Sequence, residues 1–220
     1  MMKRLLGYYI LLLGLLLIQS SFPIMAVAPR GTVPEIEIIR LNEKPIIDGE
    51  LNDKAWLEVA RSFKGVLTGW KNQYGTELIQ NQRIVYMGYD ADALYIGMIC
   101  YVDDTDSLRY GNNVWKDDSL EVHIENTKGE YFQMGISCGG QWDIGRLDKI
   151  FFFDSASKIG DNYWSTEIAI PWEEIRVEPK PGMEIGFNFA GNDYKDYWVT
   201  WGPSYGSFQR PSTFSYLRLK

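Results

Sequence analysis

The sequence predicts an all-β protein, an antiparallel β-sandwich of the jelly-roll kind with one short helix near residues 52–60. Two observations predict it. Many short runs rich in β-branched and aromatic residues recur between Gly, Asp and Pro, and the strand–helix alternation that builds parallel sheets is missing. The 220 residues show no internal repeat, low-complexity tract or interior linker, so residues 29–220 read as one domain behind an N-terminal leader.

The elements follow in order. Ile36 to Leu41 opens the strand series. Asn52 to Ala60 reads as a helix, with Asn52 as its N-cap and Trp56, Leu57 and Ala60 on one side. Arg83 to Tyr89 and Leu94 to Val102 flank Asp90-Ala91-Asp92-Ala93, a hairpin turn, and Ser119 to Asn126 and Glu130 to Cys138 flank Thr127-Lys128-Gly129. Tyr163 to Ile170, Met183 to Ala190, Tyr197 to Trp201 and Phe214 to Leu219 complete the strands, and Pro171 opens a single helical turn through Ile175.

One hairpin can be read to its register. In Ser119 to Glu125 the even positions are apolar and the odd ones polar; in the partner, Phe132, Met134, Ile136 and Cys138 are apolar. A three-residue loop with Gly129 in the left-handed region keeps both apolar sets on one face, pairing Ser119 with Ser137, Glu121 with Gly135 and His123 with Gln133. A two-residue loop would set Glu121 against Ile136 and bury carboxylates. The other face then carries Glu121, His123, Glu125 and Gln133 beside a gap at Gly135. Such a strip is either a solvated sheet face or a grip for hydroxyl groups.

Composition narrows the partners. Lys3 and Arg4 precede an apolar run from Leu5 to Ile18, and Ala26-Val27-Ala28 follows as a small-x-small site, the order of a secretory signal peptide over residues 1–28. The same 24 charge-free residues from Leu5 to Ala28 are long enough for an uncleaved anchor. Either reading exports the rest, to a secreted, periplasmic or cell-surface location, with no stable membrane insertion once a signal peptide is removed. The net charge of −7 without a basic run gives no footprint for nucleic acid. Cys100 and Cys138 are the only cysteines, and they read equally as a disulfide or as buried thiols. Eight Trp, fourteen Tyr and ten Phe make 15% of the chain aromatic, enough for a core and for flat platforms that receive rings.

Several segments together resemble the family 9 carbohydrate-binding modules. Ile47-Asp48-Gly49-Glu50-Leu51-Asn52-Asp53-Lys54-Ala55-Trp56 matches the family's opening "DGxxDxxW" element, and Tyr89 to Ile96 is similar to its "DxxxLY" hairpin. Trp115-Lys116-Asp117-Asp118-Ser119-Leu120-Glu121 resembles "WxxDSVE", and Tyr163 to Trp172 resembles "GYxxEaaIPW". The resemblance runs from about residue 40 to the end. It implies a β-sandwich that binds poly- or oligosaccharide without cutting it, a chain-end ring being held between two aromatic walls. By motif position one wall is Trp115 and the other Phe208, where the family has Trp. Glu121, Gln133 and Ser137 are the implied polar partners. The family's Arg and Asn on the second strand of the hairpin are replaced here by Gly135 and Ser137. Structural calcium is the cofactor implied, with Asp103, Asp104 and Asp106 as the densest candidate set.

Catalytic patterns are weaker. Gly135-Ile136-Ser137-Cys138-Gly139 spells a nucleophile elbow, but no histidine follows Ser137 and no helix opens after it. A glycosidase needs two carboxylates across a scissile bond, and Glu121 with Glu125 is the pair on one face. Some members of the wider superfamily hold haem through Met and His; the hairpin register places His123 and Met134 on opposite faces. A protein-interaction or assembly module that keeps the fold without a sugar is the remaining alternative.

Overall fold

A computed structural model describes residues 33–111, 113–145 and 151–220; the leader at 1–28 lies outside them. Thirteen strands and one helix follow in chain order: β1 (Glu35–Arg40), α1 (Lys54–Ser62), β2 (Val66–Leu67), β3 (Lys71–Asn72), β4 (Arg83–Tyr89), β5 (Ala93–Tyr101), β6 (Ser119–Glu125), β7 (Tyr131–Ser137), β8 (Trp142–Ile144), β9 (Asp154–Ile159), β10 (Tyr163–Pro171), β11 (Glu184–Asp193), β12 (Tyr197–Thr200) and β13 (Ser215–Leu219). They form two layers. One runs β8-β7-β6-β11-β13, with β12 beside β11 and β3 beside β12; the other runs β4-β5-β10-β9, with β2 beside β4. β1 joins them, pairing Glu35–Ile38 with β13 and Ile39–Arg40 with β4. Both of its ladders are parallel, so the sheet is mixed, while every other ladder among the described residues is antiparallel.

The main core lies between the layers, where Met87, Ile96 and Met98 face Leu120, Ile136 and Phe189. Arg83, fully buried, rivets the layers: its guanidinium donates to the carbonyls of Ser119 (2.7 Å) and Asn192 (2.6 Å) and lies over the rings of Trp70 and Trp164. Cys100 and Cys138 are buried free thiols, and burial pushes their pKa values up to about 11 and about 12. No helix among the described residues is long and apolar enough to cross a membrane.

The β6–β7 hairpin has the expected register, Glu121 opposite Gly135, His123 opposite Gln133 and Ser119 opposite Ser137. Gly129 closes its loop at φ 74. In the β4–β5 turn, Asp90 accepts hydrogen bonds from the amides of Asp92 (2.7 Å) and Ala93 (2.9 Å), the local bonding that makes Asp a turn residue. The helix begins later than Asn52. Asp53 occupies the N-cap position, and its carboxylate accepts from the Ile46 amide (2.9 Å) rather than capping the helix.

α1 packs Ala55, Trp56 and Val59 onto the outer face of β4, β5 and β10, making a second, smaller core. Glu167, fully buried on β10, anchors it. One carboxylate oxygen accepts from Trp56 Nε1 (2.6 Å) and the other from the amides of Asp48 (2.9 Å) and Gly49 (2.8 Å). Gly49 turns there at φ 89 against the backbone of Ser157, where a Cβ would come within 2.9 Å of a carbonyl carbon. The Asp-Gly and Trp of the opening motif and the Glu of the later one are thus one structural latch.

Candidate functional site

The site is built on the face of β6 and β7 that turns away from the main core. That face is not open. Glu121, Gln133 and His123 are 6%, 3% and 0% exposed, because the chain leaves β12 and returns across them through residues 201–214. His123 bonds Tyr131 Oη through Nδ1 (2.7 Å) and stacks on the Tyr131 ring, while Phe208 and Phe214 tilt against it. What stays accessible is a cleft of about 570 Å³, within the range of small-ligand sites.

Glu121 and Gln133 form its floor. Glu121 Oε2 accepts from Gln133 Nε2 (3.2 Å) and lies 3.4 Å from His123 Nε2, outside hydrogen-bond geometry. Both contacts use the same oxygen, and Glu121 itself lines the cleft. Gln133 is committed at both ends, since its Oε1 accepts from Gln209 Nε2 (2.9 Å). This chain of bonds ties the loop that carries Phe208 to the hairpin.

Trp115 forms one wall, and four contacts hold it. Its amide donates to Asn113 Oδ1 (3.1 Å), its carbonyl accepts from Asn192 Nδ2 (2.9 Å), and its indole N–H donates to Asp143 Oδ2 (2.7 Å). The ring rests on Gly135, where a Cβ would meet Trp115 Cζ3 at 3.2 Å. The register explains both neighbours, because Asp143 on β8 stands opposite Gly135 on β7. The gap read at Gly135 is therefore the seat of an indole. The loop beneath is fixed by Asp117, which accepts from the Gly111 (3.0 Å) and Asn113 (3.3 Å) amides, and by buried Asp118, which accepts from those of Arg109 (2.7 Å) and Tyr194 (2.6 Å). Burial raises the Asp118 pKa above the usual carboxylate range. Gly135→Val should overfill the seat, costing about 1–3 kcal/mol. Urea denaturation measures it; an unchanged midpoint would mean that the ring does not rest there.

Phe208 and Trp198 line the cleft as well, together with Gln73, Asn113 and Gln209. Phe208 is half-buried, with its ring centroid 6.3 Å from that of His123, whereas Trp198 on β12 is over half exposed. Trp198, Asn113 and Gln209 were not legible as site residues. Trp198 reaches the cleft because β12 pairs with β11, Trp198 opposite Asn192, and Tyr197 at φ 59 breaks the alternation that could have flagged it.

Other candidates fall elsewhere. Ser137 is fully buried, outside the cleft lining, and donates to Gln141 Oε1 (2.7 Å) in the turn after β7. It cannot contact a ligand seated between Trp115 and Phe208. The three aspartates read as a calcium set do not converge. Asp103 accepts from Tyr194 Oη (2.7 Å) and Lys195 Nζ (2.5 Å), bonds that lower its pKa, Lys195 contributing most. Asp104 instead caps the single turn Thr105–Ser107 through the Asp106 amide (3.0 Å) and Ser107 Oγ. Among the described residues no group of three or more His, Cys, Asp or Glu is placed to hold a metal. Met87, Met98 and Met134 belong to the core between the layers, across the sheet from His123. Glu125 lies against Gly186 and outside the cleft.

A two-layer β-sandwich that keeps a ring-walled cleft over a carboxylate on a sheet face has the build of a binding module. The chain belongs to the carbohydrate family 9 binding domain-like family, whose model matches residues 47–220. Two solved structures share the fold, both of a family 9 carbohydrate-binding module from Caldicellulosiruptor kristjanssonii. The one in complex with cellotriose is 19% identical, with a TM-score of 0.65, covering 84% of this chain and 93% of that one. The one in complex with glucose is also 19% identical, with a TM-score of 0.66 and coverage of 84% and 95%. No curated protein matches the chain in sequence. The family read from the motifs, and the sandwich it implied, are those found.

Proposed function

We propose that this protein is an exported, non-catalytic binder of neutral saccharides, seating a pyranose ring between Trp115 and a facing wall of Phe208 and Trp198. One observation carries the reading: the same cleft is lined by these rings and by the carboxylate residue Glu121. The C–H face of a sugar ring packs on an aromatic face, and a carboxylate accepts hydroxyl protons in charge-assisted bonds. Family membership and the glucose and cellotriose held by modules of like fold support a gluco-configured ring as ligand. Glu121 is the only carboxylate lining the cleft among the described residues, which suits binding rather than the two-carboxylate chemistry of glycoside hydrolysis. With its leader read as an export signal, the protein takes part in glycan recognition outside the cytoplasm.

A glycan array probed with residues 29–220, followed by calorimetric titration of the hits, tests this. Binding of neutral oligosaccharides is expected, and Glu121→Gln should weaken it roughly 10–100-fold, the scale of one charged hydrogen bond. An array without saccharide hits would overturn the reading in favour of an assembly module, and an unchanged affinity in the variant would remove Glu121, and with it this cleft, from the saccharide site.

A further inference from the structure

Resting on that saccharide reading, we infer a second subsite at the margin of the cleft, where the next units of the same saccharide chain lie on an aromatic platform centred on Tyr74. The cleft wall on the Trp198 side is made by two loops that hold each other. The Gln73 carbonyl accepts from the Gly206 amide (3.3 Å) and from Ser204 Oγ, and the Gln73 amide donates to the Trp198 carbonyl (3.0 Å). Gln73, Gly206 and Trp198 all line the cleft. Tyr74 does not line it but stands at its edge, its ring 3.4 Å from the point where a Cβ on Gly206 would sit.

Three large rings, two on these loops and one on the adjoining β12, are turned to solvent, Tyr74 at 63%, Tyr205 at 65% and Trp198 at 54% exposure. A single exposed aromatic is ordinary, but three on segments tied together beside a ring-binding cleft form a patch of the kind that marks a contact surface. The platform is also rigid. Asn72 closes the Tyr74 loop by accepting from the Tyr74 (3.2 Å) and Thr76 (3.1 Å) amides and donating to Thr76 Oγ1 (2.9 Å). A loop closed in this way has little backbone freedom left to lose when a ligand covers its ring. Continuity decides the occupant: Trp198 belongs to both the cleft and the platform, so a chain leaving the cleft on this side passes onto Tyr74. The protein then recognises an oligosaccharide of two or more rings, and its affinity grows with chain length.

Calorimetry with glucose, cellobiose, cellotriose and cellotetraose, and with the matching xylose series, tests the subsite on the wild type, Tyr74→Ala and Tyr74→Phe. The wild type should gain about tenfold in affinity from one ring to three, the scale of one added ring contact. Tyr74→Ala should keep monosaccharide affinity within about twofold and lose that gain, while Tyr74→Phe retains it. Thermal melting confirms that each variant is folded, and Tyr74→Gln serves if Tyr74→Ala is not. A flat series in the wild type, or an undiminished gain in the folded variant, would overturn the second subsite and leave the cleft reading intact. Failure of the wild type to bind any sugar of either series would overturn both.

Discussion

Trp115→Ala is expected to reduce saccharide affinity by roughly 10–100-fold, taking monosaccharide binding below detection by calorimetry, because one ring contact contributes on the order of 1–3 kcal/mol. The loss should be confined to binding. Trp115 is half-buried, and its backbone bonds to Asn113 and Asn192 do not involve the indole. What the substitution releases is the Asp143 carboxylate, exposed and free to hydrate, and the bare Gly135 surface, which water can cover. The melting temperature should therefore move by only a few degrees, as for a loss near 1 kcal/mol. Trp115→Phe, which keeps a flat ring without the N–H to Asp143, should retain part of the affinity. Full affinity in Trp115→Ala would remove the indole from the site and with it the clamp.

The second large effect is on stability. Glu167→Gln is expected to cost about 2–4 kcal/mol, since a buried carboxylate accepting three hydrogen bonds is replaced by an amide whose NH₂ must face an N–H donor. Whichever way the amide is turned, it confronts either Trp56 Nε1 or the Asp48 and Gly49 amides. In a domain of this size that loss lowers the melting temperature by roughly 5–15 °C. The effect has a pH signature. Burial, outweighing the bonds from Trp56, Asp48 and Gly49, raises the Glu167 pKa above 4.5. The folded protein therefore holds this proton more tightly than the unfolded chain. The associated stabilisation is fully present below the unfolded pKa and disappears as pH rises through the folded one. The stability gap between wild type and Glu167→Gln should widen as pH is lowered from neutral towards 4.5. A gap that is absent at every pH would show that Glu167 does not carry the latch, and one that narrows in that direction would show that its three hydrogen bonds outweigh burial in setting its pKa.

Much of the layer that holds the site could be read in advance. Alternation on both strands and a three-residue loop were enough to pair Glu121 with Gly135, because a one-residue slip would have turned the carboxylates inward. Trp115 stood out as an indole in a polar loop. β9 was missed because Asp154-Ser155-Ala156-Ser157-Lys158-Ile159 is small and polar, and becomes a strand only by pairing with β10 along the sheet edge. The helix start moved because the Asp53 carboxylate finds the Ile46 amide, a partner outside the helix.

The sequence by itself determined nine of the thirteen strands, the hairpin register and the carboxylate under an indole, since alternation and turn chemistry act between near neighbours in the chain. Only the tertiary structure decided that the polar strip is roofed by residues 201–214, that Ser137 is spent on Gln141 in the turn after β7, that Asp103 and Asp104 bond to other groups and that Trp198 joins the cleft. Each of those outcomes depends on segments tens of residues apart meeting across the sandwich, and such meetings are set by how the two layers close on a shared core rather than by any local pattern.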